Sequence, residues 1–155
     1  MITCEMMGRL CNQMFIAATA HSLALDNDDK AVFPYGISGI TPTDKETILH
    51  RNTIFRNLNY SKDLSFVKQI WVEPSDQSYG KIEYKPDTIL RGYFQSEKYF
   101  AHNRQQILDL FRIQEQALNF LNQKYSDIIN NKKYVSVHVR RGDYLKYTDF
   151  HAIMG

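Results

Sequence analysis

Short apolar runs alternate along the chain with segments in which apolar residues recur at helical spacing. Residues 1–7 form a short, mostly apolar run, and residues 14–25 place apolar side chains at the three- and four-residue spacing of an amphipathic helix. Further short apolar segments at 31–35, 66–72 and 88–95 predict strands. Because the predicted strands alternate with predicted helices, the pattern indicates an α/β fold with a mainly parallel sheet.

The second half of the chain predicts two helical regions and a last strand. Ser96 is a good N-cap residue, and Glu97 suits the first turn of a helix, where the helix dipole favours a carboxylate. Apolar residues repeat at helical spacing over 115–129. Residues 134–140 are β-branched at every second position, which predicts a strand. By contrast, the pattern weakens over 36–63, where we expect loops around a short helix at 54–58.

The polar run Asn-Asn-Lys-Lys at 130–133 marks the predicted domain boundary. Residues 1–131 are then an N-terminal α/β domain, and residues 132–155 are the start of a second domain. A single strand and a stub cannot bury a core of their own. We therefore expect a chain that is cut off shortly after its second domain begins.

Composition and charge exclude several classes of protein. A net charge of +2 with 23% charged residues gives no case for binding nucleic acid or a membrane surface by general attraction. Cys4 and Cys11 lack a C-x-x-C spacing, so we expect two reduced thiols. No segment approaches the roughly 20 apolar residues of a membrane span, and the start lacks the pattern of a secretory signal. We expect a cytoplasmic protein, with peripheral attachment to the inner membrane left open.

Two glycine-containing turns carry the candidate chemistry. The predicted strand at 134–140 runs into Arg-Arg-Gly-Asp, and guanidinium groups at the carboxyl end of such a strand match phosphate oxygens two at a time. The turn at 8–13 joins the first strand to the first helix, whose start offers unpaired N–H groups to an anion. Simple turn chemistry is the alternative for this second motif.

A cluster of aspartates after the first predicted helix, Asp-Asn-Asp-Asp at 26–29, matches the Asp-x-Asp pattern of metal sites. Such clusters after a helix are also typical of a solvated turn, and oxygen-ligand sites need partners from elsewhere in the chain. The solvated turn is the interpretation that the sequence favours.

Three separated stretches resemble one family. They are Gly-x-Leu-x-Asn-Gln-Met-Phe at 8–15, Gly-Tyr-Phe-Gln-Ser-Glu-Lys-Tyr-Phe at 92–100, and His-x-Arg-Arg-Gly-Asp-Tyr at 138–144. In order and approximate spacing they are similar to the bacterial α-1,2-fucosyltransferases of glycosyltransferase family 11. Together they span nearly the whole chain.

The resemblance implies an inverting, GT-B-type glycosyltransferase with a Rossmann-like N-terminal domain. Such an enzyme moves L-fucose from GDP-fucose to the 2-hydroxyl of a β-galactoside, and it needs no metal or other cofactor. By the family pattern Arg140 is the catalytic residue, since it holds the β-phosphate and stabilises the charge that appears as GDP leaves. A fixed guanidinium in a dry cleft is typically worth a few kcal/mol to such a transition state.

The remaining site residues are assigned on the same resemblance. His138 shares a face with Arg140 and either meets the nucleotide or is a satisfied core histidine. Arg141 and Asp143 are counted among the substrate-binding residues. Since alternation points Arg141 away from Arg140, the alternative is that Arg141 holds the loop through Asp143 and does not touch the ligand. From the first motif, Gly8, Arg9, Asn12 and Gln13 are expected at the donor or acceptor sugar.

The chain departs from the family pattern at two positions of the first motif, where Arg9 and Cys11 replace glycines. Protein O-fucosyltransferases have a similar Gly-Arg turn in which the arginine faces the donor. If the position of Cys11 needed a positive φ, the cysteine would cost on the order of 1 kcal/mol or more. On this resemblance we expect the family's C-terminal half, which forms most of the guanosine pocket, to be missing from these 155 residues, and the residues present offer no catalytic base.

Two other interpretations remain open. A non-catalytic α/β binding module, or an inactive remnant of a fucosyltransferase, could keep the anion loop without the chemistry. A phosphate-binding enzyme of another kind is disfavoured, since the chain has neither G-x-x-x-x-G-K-[ST] nor G-x-G-x-x-G.

Overall fold

The structure is a computed structural model that describes residues 1–35, 45–74, 78–131 and 133–137. It divides into two compact units, Met1–Gln114 and Glu115–Gly155. The domain boundary expected at 131/132 stays a prediction. In the described part of the chain, no helix combines the length and the apolar character needed to cross a membrane.

The first unit is built on short parallel strands. They are β1 (Ile2–Cys4), β2 (Phe33–Pro34), β3 (Tyr60–Ser61), β4 (Gln69–Val72) and β5 (Thr88–Arg91). One sheet has the order β1-β5-β4, and β2 pairs with β3. A parallel bridge from Ile2 to Ala31, with the Val32 N–H donating to the Ile2 carbonyl at 2.8 Å, places β2 beside β1. The expected parallel α/β fold is therefore confirmed.

The order of these strands creates a switch point between β1 and β5. From β1 the chain passes to β2 and β3 on one side, and it later fills the other side with β4 and β5. Because all pairs are parallel, the carboxyl ends of the strands lie along one edge. In open α/β sheets the crevice at such a reversal is where ligands bind.

Helix α1 (Leu10–Leu25) packs against β1 and begins earlier than the predicted residue 14. The reason lies in the turn: Gly8 has φ +68°, and the N-cap residue Arg9 is extended, so the backbone can enter the helix at once. Small buried residues let the helix approach the sheet closely. These residues are Ala17, Ala18, Ala20 and Ala24.

The helix predicted at 54–58 is wrong. Turns occupy 51–57, and helix α2 (Lys45–His50) lies before them. The Thr53 hydroxyl donates to the His50 carbonyl at 3.1 Å, which competes with continuation of the helix. Phe55 is buried in the core, so tertiary packing fixes this segment instead.

The strand predicted at 88–95 ends at Arg91, because two of the next residues leave the extended region. Gly92 has φ +156° and Phe94 has φ +50°. Ser96 caps the following 3-10 turn, as predicted, by accepting from the Lys98 N–H. A second 3-10 turn and helix α3 (Arg104–Leu110) complete the first unit.

In the described part of the second unit, two short helices lie where one was predicted. Helix α4 (Glu115–Lys124) and helix α5 (Ser126–Ile129) are separated at Tyr125, whose backbone is not helical. Ser and Asp at 126–127 favour a helix start over a helix interior, which explains the break. No residue of either helix is buried.

The strand predicted at 134–140 is not confirmed. Its first part, residues 134–137, pairs with no strand among the described residues, and Val135 and Val137 are 87% and 83% exposed. A strand needs a neighbour to satisfy its backbone and cover its side chains, and the described structure supplies none here. The remainder of the segment lies outside the described residues.

Candidate functional site

The first motif begins at a glycine that no other residue can replace without strain. A Cβ on Gly8 would lie 2.5 Å from the Asn12 Nδ2 atom and 3.1 Å from the Tyr93 Cε1 atom, and φ is +68°. L-residues disfavour this φ, and the contacts leave no room for a methyl group. The turn after β1 is therefore tightly packed against the helix start and against the second motif.

Gln13 supports this turn from beneath. Its side chain is 0% exposed, and its Nε2 atom donates to the Gly8 carbonyl at 2.9 Å. The Thr47 hydroxyl donates to its Oε1 atom at 2.7 Å. Both ends of the amide are thus used inside the protein, as a buried amide requires. The substrate-binding role expected for Gln13 stays a prediction, and the structure adds a supporting role.

Asn12 joins the first motif to the second. The Gln95 Nε2 atom donates to the Asn12 Oδ1 atom at 2.8 Å, across the carboxyl ends of neighbouring strands β1 and β5. Asn12 is half-buried and Gln95 is exposed. Two motifs that are about 80 residues apart in sequence therefore share one surface at the switch point.

The Cys11 substitution causes no strain in this turn. Cys11 lies inside α1 with a helical backbone, and it is absent from the positive-φ residues of the described chain. The thiol is free and exposed, whereas the Cys4 thiol is free and buried, and burial raises the pKa of Cys4 far above its usual range. Arg9 is exposed at the N-cap of α1.

The second motif contains a strained turn that one carboxylate holds. The Glu73 Oε2 atom accepts from the backbone N–H groups of Tyr93 and Phe94, both at 2.8 Å. Its Oε1 atom accepts from the Tyr99 hydroxyl at 3.3 Å. A left-handed φ costs a bulky residue such as Phe94 roughly 1–2 kcal/mol, and hydrogen bonds to a charged acceptor contribute roughly 1.5–3 kcal/mol each. The clamp therefore offsets the strain.

Aromatic packing fixes the same turn from the core side. The Phe94 ring is fully buried, stacks on Trp71 with centroids 6.0 Å apart, and meets Tyr99 edge-on at 5.4 Å. Burial, together with the nearby Glu73 carboxylate, raises the pKa of Tyr99. The Tyr93 side chain is left exposed beside Gly8.

An ion pair joins the ends of β1 and β5. The Glu5 Oε1 atom accepts from the Arg91 Nε and Nη2 atoms at 2.7 and 2.5 Å. The Glu5 side chain is nearly buried, and the interaction raises the pKa of the half-exposed Arg91. Sequence analysis missed both Glu5 and Glu73, although each is an acidic residue directly after a strand, which is the signal that could have found them.

Four predicted site residues, His138, Arg140, Arg141 and Asp143, lie outside the described residues. Their expected roles stay predictions.

The aspartates after α1 belong to the packing of that helix end. Asp26 accepts from the Asn103 amide at 2.7 Å and lies 2.7 Å from the His102 Nε2 atom. Asp29 lies 3.0 Å from the N-terminal amine. Within the described ranges no group of three His, Cys, Asp or Glu side chains could hold a metal ion.

The geometry suits a ligand rich in hydroxyl groups. At the switch point the amides of Asn12 and Gln95 and the phenol of Tyr93 offer donors and acceptors beside the start of a 16-residue helix. The Glu73 carboxylate fixes the loop after β5, and the Gln13 amide fixes the turn after β1. Rigid loops that carry exposed polar groups are a usual arrangement for binding small polar molecules.

Comparison with known proteins identifies the family. The model of Glycosyl transferase family 11 matches residues 1–154. The chain belongs to glycosyltransferase family 11. Its relatives include galactoside alpha-(1,2)-fucosyltransferase 2 of Oryctolagus cuniculus, with 33% identity over 94% of this chain and 41% of that protein. Galactoside 2-alpha-L-fucosyltransferase SEC1 of Bos taurus is 34% identical over 90% of this chain and 38% of its own length.

A bacterial relative matches as well. The alpha-1,2-colitosyltransferase of Escherichia coli is 30% identical over 72% of this chain and 38% of that protein. The family 11 chain thus spans about two-fifths of the length of the curated relatives it matches. No solved structure matches it.

Proposed function

We propose that this family 11 protein is an inverting glycosyltransferase that moves L-fucose from GDP-fucose to the 2-hydroxyl of a β-galactoside. The observation that carries the proposal is the meeting of two family motifs at the β1/β5 switch point, through the Asn12–Gln95 hydrogen bond. Family membership and the names of the galactoside fucosyltransferase relatives support the donor and acceptor classes.

In the proposed reaction the acceptor hydroxyl attacks the anomeric carbon of fucose from the face opposite the leaving group. The new glycosidic bond forms as the bond to the β-phosphate oxygen breaks, the hydroxyl proton passes to a base, and GDP leaves with added negative charge. Arg140 is proposed to stabilise that charge, because a fixed guanidinium contributes most where charge develops. On this mechanism neither a metal nor another cofactor is needed.

The first unit is proposed to form the acceptor side of a GT-B-type enzyme. Asn12, Tyr93 and Gln95 would orient the galactoside, while Gln13 and Glu73 keep the two loops in place. Misplacing an acceptor hydroxyl by about 1 Å can cost on the order of 100-fold in rate. This sensitivity accounts for the buried support beneath the exposed groups.

The colitosyltransferase relative favours a second candidate donor. Colitose is a deoxy-hexose closely similar to fucose, so a change in donor would keep the same leaving-group chemistry. The related bacterial protein matches 72% of this chain. A donor panel that contains nucleotide-activated fucose and colitose separates the two possibilities.

Product analysis of the full-length gene product tests the proposal. Incubation with GDP-fucose and lactose should give a trisaccharide, and NMR should show an α-linked fucose at the 2-hydroxyl of galactose. Arg140→Ala should abolish transfer, whereas Arg112→Ala, which removes an exposed partner of Asp109, should leave it unchanged. GDP binding without any transfer would favour a non-catalytic module, and a product formed at another hydroxyl would overturn the acceptor assignment.

A further inference from the structure

A cationic and aromatic cluster lies at the carboxyl ends of β2 and β3. Tyr35 directly follows β2, Lys62 directly follows β3, and the Tyr35 N–H donates to the Ser61 carbonyl at 2.8 Å. Arg51 and Tyr60 complete the group, which we call the Tyr35 cluster. Sequence analysis did not find it, because its members are spread over nearly 30 residues of weak pattern.

The Arg51 guanidinium is held between two rings. Its Cζ atom lies 4.1 Å from the centroid of Tyr35 and 5.0 Å from that of Tyr60, and the two rings meet edge-on at 6.3 Å. The Nη2 atom donates to the Tyr35 carbonyl. The Lys62 Nζ atom lies 5.3 Å from the Tyr35 centroid. One tyrosine ring therefore serves two cations.

Within the described structure, the two cations of the Tyr35 cluster have no paired carboxylate. Among the described residues no carboxylate lies within 4.0 Å of Arg51 or Lys62, whereas Arg91 and Arg112 each pair with one. The neighbouring Asp63 is engaged by the Ser65 N–H at 2.8 Å. Burial raises the pKa of Tyr60 to about 12, so its phenol stays neutral and supplies no negative charge.

Arg51 also has an unused donor. Its Nε atom is buried and has no hydrogen-bond partner within the described structure. Buried donors normally find a partner, and guanidinium groups bind carboxylate and phosphate through two parallel hydrogen bonds. Tyr35 is 43% exposed, which leaves a ring edge against which a sugar can pack. The described part of the cluster therefore favours binding of an anionic group over binding of a purely apolar one.

Placement connects the cluster to the proposed reaction. β2 lies beside β1, so the loops after β2 and β3 continue the edge that carries the family motifs. We propose that the Tyr35 cluster is an anion-binding subsite that holds a carboxylate or phosphate group carried by the acceptor glycan. This inference rests on the proposed function, because it assigns the acceptor to this edge.

Calorimetric titration of the chain with matched ligands tests the subsite. Lactose is neutral, lactobionate adds a carboxylate to the same galactoside, and lactose 1-phosphate adds a phosphate. Because charge-assisted hydrogen bonds exceed neutral ones, the better of the two anionic ligands should bind on the order of tenfold more tightly than lactose. Whichever anion gains more identifies the source of the charge. Inorganic phosphate alone should bind more weakly than the anionic disaccharides.

Variants separate the subsite from general attraction. Lys62→Gln and Arg51→Gln should each remove most of the preference for the anionic ligand, and neutral lactose should bind as before. Lys85→Gln changes the net charge equally but lies before β5, at the opposite end of that strand, and it should leave the preference unchanged.

Equal affinity for lactose and both anions would overturn the subsite while leaving the proposed function intact, and so would an anion preference that survives Lys62→Gln and Arg51→Gln. Absence of GDP binding by the full-length protein would count against the proposed function alone. Circular dichroism of each variant shows whether it is folded, and Lys62→Gln, at an exposed position, keeps the test valid if Arg51→Gln does not fold.

Discussion

Two neighbouring parts of one sheet edge differ in whether their charged side chains are paired within the described structure. At the loops after β1, β4 and β5, Glu5 pairs with Arg91, and Glu73 accepts from two backbone N–H groups. In the Tyr35 cluster, after β2 and β3, Arg51 and Lys62 have no carboxylate partner within the described structure. The first set of charges stabilises the strand ends and the turn after β5, and the second set is available to a ligand. Removing a charge should therefore affect stability in one region and binding in the other.

The largest effect on stability should come from Glu73→Ala. The change leaves two backbone N–H groups without their acceptor and frees the strained turn at Phe94. Unsatisfied donors cost about 1–3 kcal/mol each, so unfolding by urea should show a loss of about 2–4 kcal/mol. Glu83→Ala, at an exposed site 3.9 Å from Lys85, should change stability by no more than about 0.5 kcal/mol. Equal losses for the two variants would show that Glu73 does not stabilise the turn at Phe94.

A smaller loss is expected for Glu5→Gln. The variant keeps the size of the side chain and one acceptor oxygen, but it loses the charge that faces Arg91. Replacing a charge-assisted bond by a neutral one should cost about 1–2 kcal/mol in the same urea experiment. A loss that persists unchanged at 1 M NaCl is expected, because the Glu5 side chain is nearly buried and poorly screened. A loss that disappears in salt would indicate a surface ion pair instead.

Asp87 is a paired charge whose contribution to folding stability should depend on pH. Hydrogen bonds from Lys68 and from the N-terminal amine lower the pKa of Asp87. A carboxyl group whose pKa is lower in the folded state stabilises the fold above its unfolded pKa, about 3.9, and that contribution is lost as the pH falls through the folded pKa. The melting temperature of Asp87→Asn should therefore lie below that of the wild type at pH 7, and the difference should shrink as the pH falls below about 3.9. A constant difference between them at all pH values would contradict this assignment.

The smallest effect on stability should come from Lys62→Gln. Lys62 is exposed and lies over Tyr35, and it has no carboxylate partner within the described structure, so its removal loses only a cation–ring contact. Urea unfolding should change by no more than about 0.5 kcal/mol in either direction. Since the same variant should lose its preference for an anionic ligand, a large loss of stability here would mean that the Tyr35 cluster is structural.

Periodicity and motifs predicted the parts of the fold that local pattern controls. The parallel α/β arrangement, the first helix and the Ser96 cap follow from apolar spacing and capping chemistry. The end of β5 does not, because it depends on Gly92 and on a left-handed Phe94 that Glu73 holds. The turns at 51–57 do not either, because burial of Phe55 in the core fixes them. Backbone states stabilised by distant side chains leave little trace in local sequence.

The candidate site shows the same division. The first two family motifs were located from sequence, and the structure brings them together through Asn12 and Gln95. The position of Glu73 after a strand marks it as a candidate, but its partners and the burial of Gln13 could not be predicted, because the groups that they contact lie about 20 or more residues away. Long-range partners of polar side chains appear only once the strand order is known.

Calorimetric titration of the full-length protein with GDP tests the central claim most directly. A guanidinium bound to a diphosphate contributes hydrogen bonds of about 1.5–3 kcal/mol each, so Arg140→Ala should weaken GDP binding on the order of 100-fold. Arg112→Ala should stay within about twofold of the wild type, since Arg112 forms an exposed pair with Asp109. GDP affinity that is unchanged in Arg140→Ala would contradict the account.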